Sequence, residues 1–115
     1  MLLDGDGAYD YSRQGLVLKP EVRPFLTRLR ADGIHVTVLE RYGLENYFPR
    51  HAFESVIGRD LSAEFPIDPR RPVNQQIPGY NKNMNATLAQ LTTHADLVGT
   101  DLAVFLELVE RLARN

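Results

Sequence analysis

The chain has 115 residues, no cysteine, and a formal net charge of −2 from 13 basic and 15 acidic side chains. That length and composition exclude a kinase, a complete ATPase module, disulfides, thiolate zinc sites and cysteine nucleophiles, and the lack of basic excess argues against holding nucleic acid by bulk electrostatics. Hydrophobic residues at 43% and charged residues at 24% are ordinary for a globular protein and exclude wholesale disorder.

Met1-Leu2-Leu3 reads as the end of a strand whose beginning is missing, or as a short buried strand, running into the acidic turn Asp4-Gly5-Asp6-Gly7. Residues from Ala8 to Lys19 are polar, without a clear period, and end in Leu16-Val17-Leu18. A helix is expected from Pro20 to Asp32. Val22, Phe25, Leu26 and Leu29 recur on one face, and Gly33 closes it. Ile34 to Leu39 is the best strand, with Ile34, Val36 and Val38 sharing a face. If the two strands are parallel neighbours, the helix between them is their right-handed crossover, and their carboxyl ends carry Asp4-Gly5-Asp6 and Glu40-Arg41.

A short helix follows from Pro49 to Ile57, with Ala52, Phe53, Val56 and Ile57 inward and Gly58 at its end. Residues 59–81 hold four of the seven prolines, which rules out a regular element; loops of that length are usually functional or mobile. Two helices close the chain. The first spans Lys82 to Thr93, capped by Asn81, with Met84, Leu88 and Leu91 inward. The second spans Asp101 to Ala113, capped by Thr100, with a core stripe of Leu102, Phe105, Leu106, Val109 and Leu112. The expected fold is α/β, a short parallel sheet flanked by helices, in one domain: an α/β part with the acidic site (1–58), a Pro-rich loop (59–81) and two C-terminal helices (82–115). No apolar run approaches the roughly 18 residues of a membrane span. The first residues meet a carboxylate too early for a signal peptide, so a cytoplasmic protein without membrane contact is expected.

The sharpest chemical feature is Asp4-Gly5-Asp6. On an extended chain the two carboxylates point the same way, about 7 Å apart at their α-carbons. Such a pair past a buried strand supplies the hard oxygen ligands that Mg²⁺ or Mn²⁺ prefers. Gly5 and Gly7 let the backbone approach a ligand closely. The competing reading is a plain acidic turn, since Asp-Gly is common turn chemistry. Glu40 and Glu45, just after the second strand, are candidates for a third carboxylate or a second cation. Ion pairing of Glu40 and helix capping by Glu45 are the structural alternatives.

Leu39-Glu40-Arg41-Tyr42-Gly43-Leu44-Glu45-Asn46-Tyr47-Phe48 resembles the L-x-R-x-x-(I/L)-E-N-Y-(F/L) segment of Toprim nuclease domains attached to OLD-like ATPases of phage defence. Tyr80-Asn81-Lys82-Asn83-Met84-Asn85 is similar to that family's W-x-K-x-x-N-W stretch, with both aromatic positions altered or lost. Gly99-Thr100-Asp101-Leu102-Ala103-Val104-Phe105-Leu106 is similar to its closing G-T-D-L-x-x-F-L helix. The resemblance implies a partial Toprim-like (Rossmannoid) layer and metal-dependent cleavage of DNA phosphodiesters. Asp4 and Asp6 would bind Mg²⁺ or Mn²⁺, with Glu45 supporting the metal, and Lys82 and Arg41 would be phosphate contacts. Arg59, Arg70 and Arg71 are further candidates for touching DNA, with a solvated loop as the plain alternative for Arg70-Arg71. The family's earlier strand and its glutamate have no counterpart before Asp4, so the likeness covers the C-terminal portion only. Activity is then expected where a partner chain, an ATPase module or upstream elements complete the site.

Two other readings stand beside it. Asp4-Gly5-Asp6-Gly7 also resembles the D-x-D-G motif of HAD-like phosphatases, which implies Asp4 as nucleophile and Asp6 as acid. In that family the second strand ends in Ser/Thr, whereas here it ends in Leu39-Glu40. A non-catalytic α/β interaction module is the third reading. An unpaired sheet edge would invite a partner strand or a second copy of the chain.

Overall fold

The computed structural model describes residues 1–114. Leu2–Leu3 (β1) and Thr37–Val38 (β2) form a two-stranded parallel sheet, Leu2 opposite Thr37 and Leu3 opposite Val38. Between them lie a single helical turn, Gly5–Ala8 (α1), a loop closed by an antiparallel bridge from Tyr9 to Leu18, and the helix Val22–Ala31 (α2). The parallel crossover expected from the sequence is therefore present. Its second strand is shorter than the span Ile34 to Leu39. The partner offers only Met1 to Leu3, whose carbonyls accept from Thr37 N and Leu39 N at 2.9 Å each, and a ladder cannot outrun its shorter strand. Ile34 is accordingly left 41% exposed, while Leu39 is fully buried.

α2 starts at Val22 rather than Pro20 because Lys19 to Val22 forms a turn, the Val22 N–H donating to Lys19 O at 3.0 Å. It ends where Gly33 takes φ +79° and Ile34 N donates back to Leu29 O at 3.0 Å, a conformation open to glycine. Leu26 alone on this helix is buried.

The helix Arg50–Ile57 (α3) follows Pro49 and stops at Gly58. The Pro-rich stretch from 59 to 81 has one 3₁₀ turn, Val73–Gln75, yet it is a packed strap, since Leu61, Val73 and Ile77 are buried with Phe48, Ala52, Phe53 and Leu88 in the larger core. The helix expected from Lys82 is split into a 3₁₀ turn, Lys82–Met84, and Asn85–Leu91 (α4). Asn81 Oδ1 accepts from Asn83 N at 3.0 Å and draws the first turn tight. A four-residue helix, His94–Leu97 (α5), was not anticipated, although Thr93 and Asp96 satisfy each other's backbone N–H groups in a capping box.

The last helix is Asp101–Arg114 (α6), with Thr100 Oγ1 accepting from Ala103 N at 3.2 Å. Its first turn enters a second, smaller core of Leu39, Tyr47, Leu97, Leu102 and Ala103. The expected core stripe fails beyond that point. Leu106, Val109 and Leu112 are 42%, 45% and 62% exposed, because among the described residues no element covers the outer turns of the helix. The radius of gyration is 15.6 Å, above the roughly 13 Å of a compact domain near this length. Two small cores and a projecting helix account for the excess. Among the described residues no helix is long and apolar enough to cross a membrane.

Candidate functional site

Asp4 is the extended residue (φ −66°, ψ 147°) that leads from β1 into α1, and Asp6 sits inside that helical turn. The extended backbone expected to align the two carboxylates ends at Asp4, and Asp6 follows it within the helical turn, with both side chains lining one cavity. Gly5 is what allows this arrangement. A Cβ on Gly5 would lie 2.2 Å from Arg41 O and 2.8 Å from Leu39 O. With no side chain there, α1 presses against the end of β2, and Asp6 N donates to Tyr42 O at 2.7 Å. Gly5 thus serves close approach to the protein's own backbone, and a Cβ on Gly7 would meet nothing within 4 Å.

Glu45 enters from the 3₁₀ turn Leu44–Tyr47. Asp4, Asp6 and Glu45 line one open cavity of about 620 Å³ together with Tyr42, Tyr80 and Lys82, walled on one side by the strap at Pro72 to Gln75. The electrostatics follow from this crowding. Partial burial raises the Asp4 pKa, repulsion from Glu45 and Asp6 raises it further, and Lys82 acts in the opposite sense. The Asp6 carboxylate beside the Tyr42 hydroxyl raises that phenol. Burial, with the charge of Glu45 behind it, pushes Tyr80 up to about 12. Among the described residues no three acidic, histidine or cysteine side chains converge into a closed metal centre. What exists is an acid-lined recess with hard oxygen donors and one lysine at its rim, which suits a divalent cation in charge and in ligand type.

Glu40 has no part in it. Its carboxylate lies outside the cavity, while its backbone N–H donates to Asp101 Oδ2 at 2.9 Å and its carbonyl accepts from Tyr11 OH at 2.6 Å. The remaining residues of the Glu45-Asn46-Tyr47 segment are structural. Buried Asn46 accepts from Gly43 N at 2.9 Å and donates to Arg71 O at 2.9 Å, pinning the strap. Tyr47 OH donates to Asp101 Oδ1 at 2.5 Å, which joins the 3₁₀ turn Leu44–Tyr47 to the start of α6. Replacing Asn46 by Ala would orphan these backbone groups, and urea unfolding is expected to show a loss of about 1–3 kcal/mol.

The proposed arginine contacts are mostly engaged elsewhere. Arg70 donates to Gly15 O at 2.8 Å and Arg13 O at 2.7 Å, with its guanidinium 5.0 Å from the Tyr11 ring centroid. It staples the loop after α1 to the strap. Arg41 lies 4.5 Å over the Tyr47 ring, donates to Asn46 O at 2.9 Å and lines a separate cleft with Phe48 and Ile67. Arg59 donates to Pro78 O at 2.8 Å. Arg71 is exposed and outside the acid cavity; Lys82 alone among the candidate cations lines it. Sequence reasoning did not single out Tyr42, Gly43, Tyr80 or Asn85 for the site. Tyr80 and Asn85 lay within the quoted Tyr80-to-Asn85 stretch, three residues or fewer from Lys82, which was the available signal.

No family model, curated protein or solved structure matches this chain.

Proposed function

We propose that this chain is a Toprim-like domain that handles DNA phosphodiesters with a divalent cation, cleaving them when upstream elements or a partner chain complete the site. One observation carries the reading: Asp4, Asp6, Glu45 and Lys82, brought from three separate stretches of sequence, line a single cavity. Asp4, Asp6 and Glu45 would hold Mg²⁺ or Mn²⁺. The cation would supply Lewis-acid polarisation of the phosphate and stabilise the leaving oxygen. The chain's own contribution is to hold three carboxylates against their mutual repulsion and to present Lys82 at the rim, where an ammonium can neutralise a phosphate oxygen. Gly5 and Tyr42 fix Asp6 by clamping the turn that bears it.

Direct Mn²⁺ titration followed by electron paramagnetic resonance tests the reading. Asp6→Ala is expected to weaken binding by more than about 100-fold, beyond the roughly 10–100-fold that loss of an outer-sphere partner costs. Nicking of supercoiled plasmid by the completed assembly should fall with it. Unchanged Mn²⁺ affinity in that variant would remove the proposal.

The same crowding makes a stability prediction. Because the folded-state pKa of Asp4 is raised above 3.8, its ionisation costs stability from that unfolded value upward, and the full penalty is present above the raised value. Below 3.8 the carboxyl is protonated in both states and the penalty vanishes. Asp4→Asn should therefore melt higher than wild type at pH 7 without divalent cation, and the gap should close as the pH falls toward 3.8. A gap independent of pH would contradict the repulsion.

A further inference from the structure

The basic excess that the overall charge denies is present locally. Arg13, Lys19, Arg23, Arg28 and Arg30 fall between residues 13 and 30, a stretch whose one acid is Glu21. Lys19 is engaged inside the fold: its Nζ donates to Asp6 O at 2.7 Å and fastens this stretch to the turn that carries Asp6. The four arginines are exposed, and among the described residues their guanidiniums make no ion pair. Elsewhere Arg41, Arg50, Arg59, Arg70 and Arg114 each meet a carbonyl or a carboxylate.

The outward ridge of α2 is small, formed by Pro24, Thr27 and Ala31, all exposed. At 3.6 residues per turn, Arg23 and Arg30 flank that ridge on one side and Arg28 on the other. At the start of the helix Arg23 shares a recess of about 370 Å³ with Arg13, lined by Val17, Leu18 and Pro20. Asp10 also borders the recess, with its carboxylate turned to the amide and hydroxyl of Ser12. Arg23 stands in the first turn of α2, which holds no acid, and a cation there opposes the helix macrodipole. The helix gains nothing from a guanidinium at that place, so the charge answers to something outside it.

We propose that this face, Arg13 together with Arg23, Arg28 and Arg30 of α2, is a docking surface for the phosphate backbone of duplex DNA. It rests on the reading of the chain as one that handles DNA phosphodiesters, and it is independent of the cation. Guanidinium forks match phosphate oxygens in charge and in geometry. Arg23 and Arg30 lie two helical turns apart, about 10.5 Å, so a helix lying along the duplex meets phosphates of one strand about three steps apart, at roughly 3.4 Å of rise per step. The small ridge lets α2 approach closely enough for Arg28 to reach from the other flank. An anionic membrane fits less well. Helices that lie on a bilayer sink a wide apolar face, and on α2 Phe25 is the one large apolar side chain exposed. Contacts of this kind hold DNA in place without reading its sequence.

The test measures binding of a fluorescein-labelled duplex to the full chain in EDTA, over a series of salt concentrations. Wild type is expected to bind with a negative slope of log K against log salt. Arg13→Gln and Arg23→Gln should each reduce the size of that slope by about 0.9, and the variant carrying Arg23→Gln, Arg28→Gln and Arg30→Gln by about 2.7. That triple variant should bind more than about tenfold more weakly at about 50 mM salt. Arg23→Lys, which keeps the charge, should retain the wild-type slope. Arg111→Gln, at an exposed arginine of α6, should change neither slope nor affinity. The α2 variants should melt with wild type, since glutamine is a good helix former. A triple variant with wild-type slope and affinity overturns the surface and leaves the DNA reading standing. Wild type that binds no duplex at about 50 mM salt removes both. Tighter α2-dependent binding to vesicles of phosphatidylglycerol and phosphatidylcholine than to duplex makes a membrane the occupant and overturns the proposal. If the completed assembly nicks no plasmid while α2-dependent binding of duplex persists, the cleavage reading alone falls and the surface is supported.

Discussion

Phe53→Ala is expected to lower the free energy of unfolding by about 3–5 kcal/mol, the usual cost of emptying a fully buried aromatic site. Phe53 is wholly inaccessible, and its ring meets three others: Phe48 at 6.2 Å, Phe65 at 5.8 Å and Tyr80 at 5.8 Å between centroids. The residues around it come from α3, the Pro-rich strap and α4, so no single element can collapse into the space left behind. A domain of this size holds about 5–15 kcal/mol in all, and this one divides its apolar residues between two small cores. The variant should therefore be largely unfolded at 37 °C. A urea midpoint shift equivalent to less than about 1 kcal/mol would mean that the ring is not the centre of the larger core.

Gly5→Ala carries the second large effect. The added Cβ would overlap Arg41 O and Leu39 O, both backbone atoms, besides the Tyr11 hydroxyl. The hydroxyl can swing away, but the carbonyls belong to the end of β2 and to the loop from which Asp6 N hangs. Overpacking of this kind costs about 1–3 kcal/mol where a side chain yields, and the upper end applies where backbone must move. The comparison variant is Gly7→Ala. That position has open space and lies in the same helical turn, so alanine should be neutral or stabilising by up to about 1 kcal/mol. Equal melting temperatures for the two variants would show that α1 does not press on β2. On the proposed cation reading the Gly5 variant also loses Mn²⁺ affinity, since displacing the turn moves Asp6.

The elements that the sequence announced are those whose signals are local. Pro49 and Gly58 bracket α3, Gly33 ends α2, and Thr100 caps α6, each through backbone chemistry decided within a few residues. The parallel pairing of β1 with β2 was legible from element order, but strand length was not, because it depends on how much partner is available. The outer stripe of α6 misled for a related reason. Amphipathic spacing reports that a helix has an apolar face, and says nothing of whether the fold provides a surface to cover it. At the site, Asp4, Asp6, Glu45 and Lys82 were nominated by residue type and do share a cavity, whereas Glu40, Arg41, Arg59, Arg70 and Arg71 do not. Charge on a sequence cannot reveal that the Arg70 guanidinium will be consumed by loop carbonyls. Asn85 stayed hidden because its meaning is a contact with Glu45, 40 residues away.

Asp101 accepts from the Glu40 amide across 61 residues and from the Tyr47 hydroxyl across 54, so the beginning of the last helix braces the segment after β2 against the 3₁₀ turn. Order of synthesis then matters. The aspartate-bearing turn is made before the last helix, yet the frame beside its neighbour Tyr42 waits for Asp101. Long-range closures of this kind come late in folding, because the intervening chain must be ordered before they are rewarded. A nascent chain halted before Asp101 would carry every carboxylate of the recess without the strut that squares its frame.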